Sequence, residues 1–321
     1  MEPNRQIERK NLLADIAELY FVEGKNQSEI AEVFGMTRSN VSRMLTEARN
    51  SGIISFQINR PIRENLALAQ KITSRFGLKR ARIVEVDQAS QLLIKVGKTA
   101  GDELMSWMKP GWILGTSWGT AISSTTEQLE PTHSVSGLKV VQLLGALGAR
   151  IKDYDGHAIV RRLEEKLEAE GIYINAPFVV ENEEVAQSLI ANKSVKESIR
   201  VAKKSDIALF GVGSTATAHC SYYLADYITH DELVSIQETG AIGDVCGRFY
   251  DINGNFCARE FQKRLIGVPI EDLMAIPIRI GVAGGLSKVE PIIGALRNGV
   301  INVLVSDSIT VSQVLNTLET L

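Results

Sequence analysis

Cysteine is scarce in this 321-residue chain. There are three, Cys220, Cys246 and Cys257, so they cannot all pair with one another. None stands in a C-x-x-C spacing, which argues against both a disulfide scaffold and a structural zinc site. Histidine is almost as sparse. His133, His157, His219 and His230 show no metal-ligand spacing and no Ser/His/Asp set is visible, so neither a metal nor a cofactor is expected. Long hydrophobic runs are missing too. No stretch approaches about 18 apolar residues, which excludes a helical membrane span. The opening MEPNRQIERK lacks the apolar core of a signal peptide, and a reducing cytoplasm is the expected compartment. Excess positive charge is absent. Lys+Arg number 35 against 38 Asp+Glu, a net charge of −3, so any contact with nucleic acid must come from a local patch. There is no internal repeat and no low-complexity tract.

What is present is an ordinary globular balance, 45% hydrophobic and 23% charged. At roughly 100–200 residues per domain, the length suggests two domains.

The first sixty residues carry their own punctuation. Residues 6–23 place Ile7, Leu12, Leu13, Ile16, Leu19 and Tyr20 on one helical stripe, and Gly24 ends it. Asn26 with Glu29 three residues later has capping-box spacing for a short helix over 28–34. Gly35 then stands where a left-handed cap wants glycine. Thr37 is a good N-cap for a third helix over 38–50, and residues 53–58 read as a short strand after Gly52. Two short helices around a glycine-containing turn make a helix-turn-helix. Ala31 is small where the helices approach, and Ile30, Phe34, Val41 and Met44 or Leu45 fall inward. Left outward are Arg38, Ser39, Asn40, Ser42, Arg43 and Thr46, following Thr37. All of these can hydrogen-bond to base edges or phosphates from a helix in the major groove. The local balance from Met36 to Arg60 is positive, with Arg38, Arg43, Arg49 and Arg60 against Glu47.

Pro61 marks the expected boundary, giving a DNA-binding domain over 1–60 and a second domain over 61–321, to which the family resemblance described below assigns effector binding and oligomerisation. The segment after it is basic. Arg63, Lys71, Arg75, Lys79, Arg80 and Arg82 stand against Glu64, as a solvated linker helix or as extra phosphate contacts. Beyond it, apolar runs at 81–86, 112–114, 140–143, 206–210, 276–282 and 301–305 alternate with helical patterns at 90–108, 120–129, 158–169, 183–191, 194–203, 289–298 and 309–318. That alternation predicts a doubly wound, mainly parallel α/β sheet.

Four of these strands run into glycine-rich loops at 115–119, 145–148, 211–214 and 281–285. Glycine lets backbone amides approach an anion, and a following helix N-terminus adds its positive dipole end. In open α/β sheets, ligands bind beyond the carboxyl ends of the strands. The best phosphate cradle is Gly115, Thr116, Ser117, Trp118, Gly119 and Thr120, where Trp118 can stack on a sugar or fill core. Two decoys fail. Gly97-Lys98-Thr99 has a P-loop ending, but Leu92 stands where its first glycine is required. Gly211-Val212-Gly213 begins a dinucleotide fingerprint that Ala216 breaks. ATP and NAD are therefore not expected. Asp244, between glycines, can accept hydrogen bonds from sugar hydroxyls or serve a turn. Lys288, beside a helix N-terminus, suits an anionic partner or simply solvent. Asp251 in D-I-N-G-N reads as a hairpin-turn residue.

The sequence resembles the SorC/DeoR family of sugar-responsive bacterial transcriptional regulators along nearly its whole length. The resemblance is carried by A-E-L-Y-F-V-E-G-K-N-Q-S-E-I-A-E-V-F-G-M-T-R-S-N-V-S-R-M-L from Ala17, by L-G-T-S-W-G-T-A from Leu114 and by V-V-Q-L-L-G from Val140. It continues through A-L-F-G-V-G-S from Ala208, G-D-V-C-G-R-F-Y-D-I-N-G from Gly243, I-P-I-R-I-G-V-A-G-G-L-S-K from Ile276 and I-N-V-L-V-S-D from Ile301. It departs from the family where Ala146 replaces the second glycine after Gly145. The resemblance implies a helix-turn-helix domain joined to an effector domain related in fold to sugar-phosphate isomerases and glucosamine-phosphate deaminases. It also implies a tetramer that binds operator DNA and responds to a phosphorylated sugar or polyol. It assigns the phosphate loop to residues 115–120, with Gly145 and Gly213 in neighbouring loops, the acidic sugar contact to Asp244 and the basic phosphate-side position to Lys288. The expected protein is thus a regulator rather than an enzyme. The competing expectation is a sugar-phosphate isomerase or deaminase using Asp244 or Glu238 as base.

Overall fold

The computed structural model describes residues 2–56, 62–146 and 154–320. The chain divides into two compact units, residues 1–61 and 62–321. Pro61 itself, Gly148 and positions 57–58 of the expected strand lie outside the described residues.

Among its described residues the small unit is three helices, α1 (Glu2–Phe21), α2 (Gln27–Val33) and α3 (Arg38–Asn50). Their limits follow from local chemistry. The Asn26 side chain accepts from the amides of Ser28 and Glu29, and Glu29 accepts from the Asn26 amide at 2.8 Å, completing the capping box. Thr37 Oγ1 accepts from Asn40 N at 3.2 Å and starts α3. Gly35 between the helices has φ +61°, the left-handed conformation that favours glycine. Ile16, Ile30, Ala31, Val41, Met44, Leu45 and Ala48 are buried together. The expected strand is not seen at residues 53–56. Ile53 N and Ile54 N both donate to Ala48 O, at 2.9 and 3.2 Å. This folds the segment back on the end of α3, where Ile53 and Ile54 pack against the helical core.

The large unit is built on seven strands: β1 (Arg80–Val84), β2 (Ile113–Thr116), β3 (Lys139–Gln142), β4 (Glu170–Ile172), β5 (Ile207–Gly211), β9 (Ile278–Val282) and β10 (Val303–Asp307). Their order is β1-β10-β9-β5-β2-β3-β4, and every pairing is parallel. β6 (Gly213–Ser214), β7 (Gly243–Val245) and β8 (Arg248–Tyr250) form a separate antiparallel sheet. The seven sequence-predicted helices appear as α5 (Leu92–Trp107), α6 (Thr120–Gln128), α7 (Gly156–Leu167), α8 (Glu183–Ala191), α9 (Lys193–Ala202), α14 (Val289–Arg297) and α15 (Ser308–Thr320). β4, the antiparallel sheet and the short helices α10 (Ser221–Leu224), α11 (His230–Glu238), α12 (Arg259–Gln262) and α13 (Ile270–Ala275) have no counterpart among the expected elements. These pieces are too short for a periodicity to register.

The basic segment after the boundary is not a free linker. Its helix, α4 (Leu66–Phe76), is capped by Asn65, buries Ile72 and packs on β1 and α15. Arg82 pairs with Glu64, and Arg80 with the buried Glu103 at 3.2 Å. Half-buried arginines demand such partners, and these two are committed inside the unit.

The strand order places the ligand site. From β2 the chain steps to β3 and then β4, toward one edge. From β5 it steps to β9 and then β10, toward the other. Right-handed crossovers in opposite directions put the helices on opposite faces. The adjacent strands β2 and β5 are therefore the topological switch point, where a crevice opens beyond their carboxyl ends.

Candidate functional site

A cavity of about 520 Å³ lies at that switch point. The loop after β2 contributes Ser117, Trp118, Gly119 and Thr120. The loop after β5 contributes Gly211, Val212 and Gly213, and the loop after β9 contributes Ala283, Gly284 and Lys288. Leu144 and the segment around α10, including His219 and Tyr222, form further walls, and Asp244 and Cys246 come from the antiparallel sheet.

Each loop has a physical reason to be where it is. Gly119 has φ +127° and begins α6 without a side-chain cap, so the first amides of that helix meet the cavity with no side chain satisfying them among the described residues. Gly213 is required by its neighbour. It pairs with Asp244 across the β6–β7 ladder, and a Cβ there would sit 1.8 Å from Asp244 Oδ1. Asp244 is buried; its Oδ2 accepts from the Tyr222 hydroxyl and from Gly247 N at 2.9 Å. Burial pushes the Asp244 carboxyl above its ordinary value, against the opposing pull of Tyr222, Gly247 and Lys288. Burial likewise raises the Tyr222 phenol far above its usual range, with the Asp244 charge adding to it. The Lys288 amine has no hydrogen-bond or ion-pair partner among the described residues, while its backbone amide donates to Gly285 O at 2.9 Å. Burial lowers its pKa while Asp244 opposes that shift. An amine and a carboxyl thus face one small cavity beside a helix N-terminus. That set can hold an anion at one end and hydroxyl groups at the other.

Of the residues expected from sequence, Ser117, Trp118, Gly119, Thr120, Gly213, Asp244 and Lys288 converge here. Three do not line the cavity. Gly115 and Thr116 lie inside β2 and are buried. A Cβ on Gly115 would reach Leu143 Cδ2 at 2.5 Å, so that glycine serves sheet packing. Gly145 is buried against Pro177 and Ala176, and its carbonyl accepts from Trp118 Nε1 at 3.2 Å. Trp118 fills core, standing edge-on to Phe178 and Tyr222, and it also lines the cavity. Asp251 accepts from the amides of Asn253 and Asn255 and is a turn residue. Tyr222 escaped the sequence reading because it belongs to no motif, and only the tertiary fold brings it to Asp244.

In the small unit, a shallow surface groove is lined by Arg38, Ser39, Ser42, Arg43, Thr46, Glu47 and Asn50 of α3 and by Gln27 of α2. Five expected DNA-facing residues are among them. Thr37 instead caps α3. Asn40 holds Arg43, whose Nη2 donates to Asn40 Oδ1 at 3.2 Å. Gln27, Glu47 and Asn50 were not foreseen. Glu47 is bound by Arg9 of α1 at 2.6 Å, which holds its carboxyl below the ordinary range.

Comparison with known proteins gives a consistent result. The Sugar-bind family model, a sugar-binding domain, matches residues 60–316, and the sigma-70 region 4 model matches residues 14–51. The chain is 30% identical to the deoxyribonucleoside regulator of Bacillus subtilis (strain 168), over 97% of this chain and 99% of that one. It is 31% identical to the transcriptional regulator LsrR of Enterobacter sp. (strain 638), over 95% and 93%. The crystal structure of the full-length sorbitol operon regulator SorC from Klebsiella pneumoniae superposes with a TM-score of 0.73 at 28% identity, covering 96% of this chain and 99% of that one.

Proposed function

Since the chain belongs to the SorC/DeoR family of transcriptional regulators with a sugar-binding domain, we propose that it regulates a carbohydrate or polyol catabolic operon, with a phosphorylated sugar or polyol as effector. The observation that carries this reading is the switch-point cavity, where the uncapped start of α6 and the Lys288 amine, unpartnered among the described residues, face the buried Asp244. The phosphate would lie against the amides after Gly119 with Lys288 neutralising charge, a charge-assisted arrangement. Asp244 would accept from a sugar hydroxyl. Leu144 and Leu93 add apolar wall, which suits a small ligand over a large polar one.

Arg38, Ser39, Ser42 and Arg43 would read bases or phosphates of the operator, with Thr46 beside them, Asn40 positioning Arg43 and Thr37 capping the helix. The protein would act in the cytoplasm as a homo-oligomer, a tetramer by family resemblance, with paired reading heads on half-sites spaced by helical turns. Effector binding would change operator affinity by favouring one of two arrangements. The site is read as a binding site and not a catalytic one, in keeping with the regulators it resembles.

A thermal-shift screen against phosphorylated and unphosphorylated sugars and polyols tests the reading, because a ligand of the native state raises Tm by mass action. A selective shift with a phosphorylated compound is expected. Shifts with unphosphorylated sugars only would overturn the phosphate cradle.

A further inference from the structure

The loop that presents Lys288 is held from outside the cavity. Asp307, the last residue of β10, is buried. Its Oδ2 accepts from Gly285 N at 3.0 Å and from the Thr310 hydroxyl, and its Oδ1 accepts from Thr310 N at 2.9 Å. The Gly285 amide also donates to Thr310 Oγ1 at 2.8 Å. A Cβ on Gly284, a cavity residue, would sit 2.8 Å from Asp307 Oδ2, so loop and carboxylate are in direct contact.

The same residue lies in a row of backbones that ends at the start of the large unit. Asp307 is in register with Val84 of β1. Val84 in turn forms an antiparallel bridge with Glu64. Asn65 N donates to Ile83 O at 2.7 Å and Glu85 N to Arg63 O at 2.8 Å, and Glu64 is also paired with Arg82. Residues 63–65 directly follow Ile62, where the large unit begins. Three backbones thus lie side by side at one level, residues 63–65, then β1, then β10, with the effector loop hydrogen-bonded to the end of the third.

We propose that Asp307 is a positioning residue with two roles. It seats the 284–288 loop so that Lys288 faces the cavity, and it transmits occupancy of that loop to residues 63–65, where the chain continues toward the DNA-binding unit. This rests on reading the cavity as the effector site. The physical basis is that a ligand drawing on Lys288 must load the Asp307 hydrogen bonds. Ladder-bonded, close-packed strands pass on such a displacement because they cannot absorb it by compression.

Amide hydrogen exchange on the full-length chain, with and without inorganic phosphate as probe, tests this. In the wild type, phosphate is expected to slow exchange at residues 117–123 and 283–289 and also at 63–65 and 83–85. In Asp307→Asn, where only one of the two side-chain atoms can still accept, the hold on the 284–288 loop weakens: slowing at 283–289 should need more phosphate than in the wild type, and at phosphate levels that restore slowing at 117–123 the slowing at 63–65 and 83–85 should be lost. Thr310→Val removes the second acceptor of the same amide, should reduce the remote response in the same way, and serves if the first variant does not fold. A remote response that survives in both variants, or a wild type that responds only at the cavity, overturns the proposal. No response at the cavity itself would instead defeat the phosphate reading, and the proposal with it.

Discussion

The Tyr222 hydroxyl donates its hydrogen bond to Asp244 Oδ2 inside the cavity wall, joining α10 to the antiparallel sheet. Both residues are buried, so the carboxyl is satisfied by protein donors before any ligand arrives. Tyr222→Phe leaves Asp244, among the described residues, with Gly247 N at 2.9 Å as its donor. Removing one partner from a buried acceptor costs about 1–3 kcal/mol. The variant should unfold at lower denaturant and bind effector more weakly, while keeping operator affinity in the absence of effector. Equilibrium denaturation and an effector titration check both parts.

Lys288→Met keeps the length of the side chain and removes its charge. A charge-assisted hydrogen bond is worth about 1.5–3 kcal/mol, so binding of an anionic effector should fall roughly tenfold to a hundredfold. The stability effect has the opposite sign. Burial lowers the folded-state pKa of Lys288. The folded chain therefore binds its proton less tightly than the unfolded chain, and the wild type carries a cost that is present at neutral pH and disappears as pH rises through the ordinary lysine range. The variant should be more stable than the wild type near neutrality, with the gain shrinking in alkali. Denaturation curves across pH decide it.

Arg43→Ala should weaken operator binding by about 1–3 kcal/mol and leave effector binding unchanged. A loss confined to one operator position would mean that Arg43 reads a base. A uniform loss with a shallower salt dependence would mean that it contacts a phosphate. Gel-shift titrations on operator variants at two salt concentrations separate these outcomes. Asn40→Ala should give a smaller loss in the same assay, because Asn40 Oδ1 accepts from the Arg43 guanidinium and helps to place it.

Asn26→Ala removes the acceptor for Ser28 N and Glu29 N at the start of α2. Loss of such a cap costs about 1 kcal/mol. Exchange protection of α2 and α3 should fall, while that of the seven-stranded sheet should not change, since the two units are separately compact.

The sequence by itself determined the parts that depend on near neighbours. The capping box at Asn26 and Glu29, the left-handed Gly35 and the Thr37 cap act within four residues, so the helix-turn-helix and the start of its third helix could be read directly. Alternating apolar runs and helical stripes likewise located six of the seven parallel strands, because burial imposes its period on every such element. Asp244 and Lys288 were marked by local oddities, a carboxylate between glycines and a lysine near a helix N-terminus. Tertiary structure decided the rest. Gly115 and Gly213 both look like cradle glycines, yet one packs on Leu143 and the other makes room for Asp244. The strand at 53–58 was legible as β-forming sequence, but the carbonyl of Ala48 took the amides of Ile53 and Ile54 instead. Tyr222 belongs to no motif, and Asp307 ends the I-N-V-L-V-S-D run with no local mark of its contacts. Their roles arise because the fold brings Tyr222 to Asp244 and Asp307 to the loop at Gly285, each across 22 positions of chain. Contacts of that range cost chain entropy that only the whole packed domain offsets, so no window of sequence contains them.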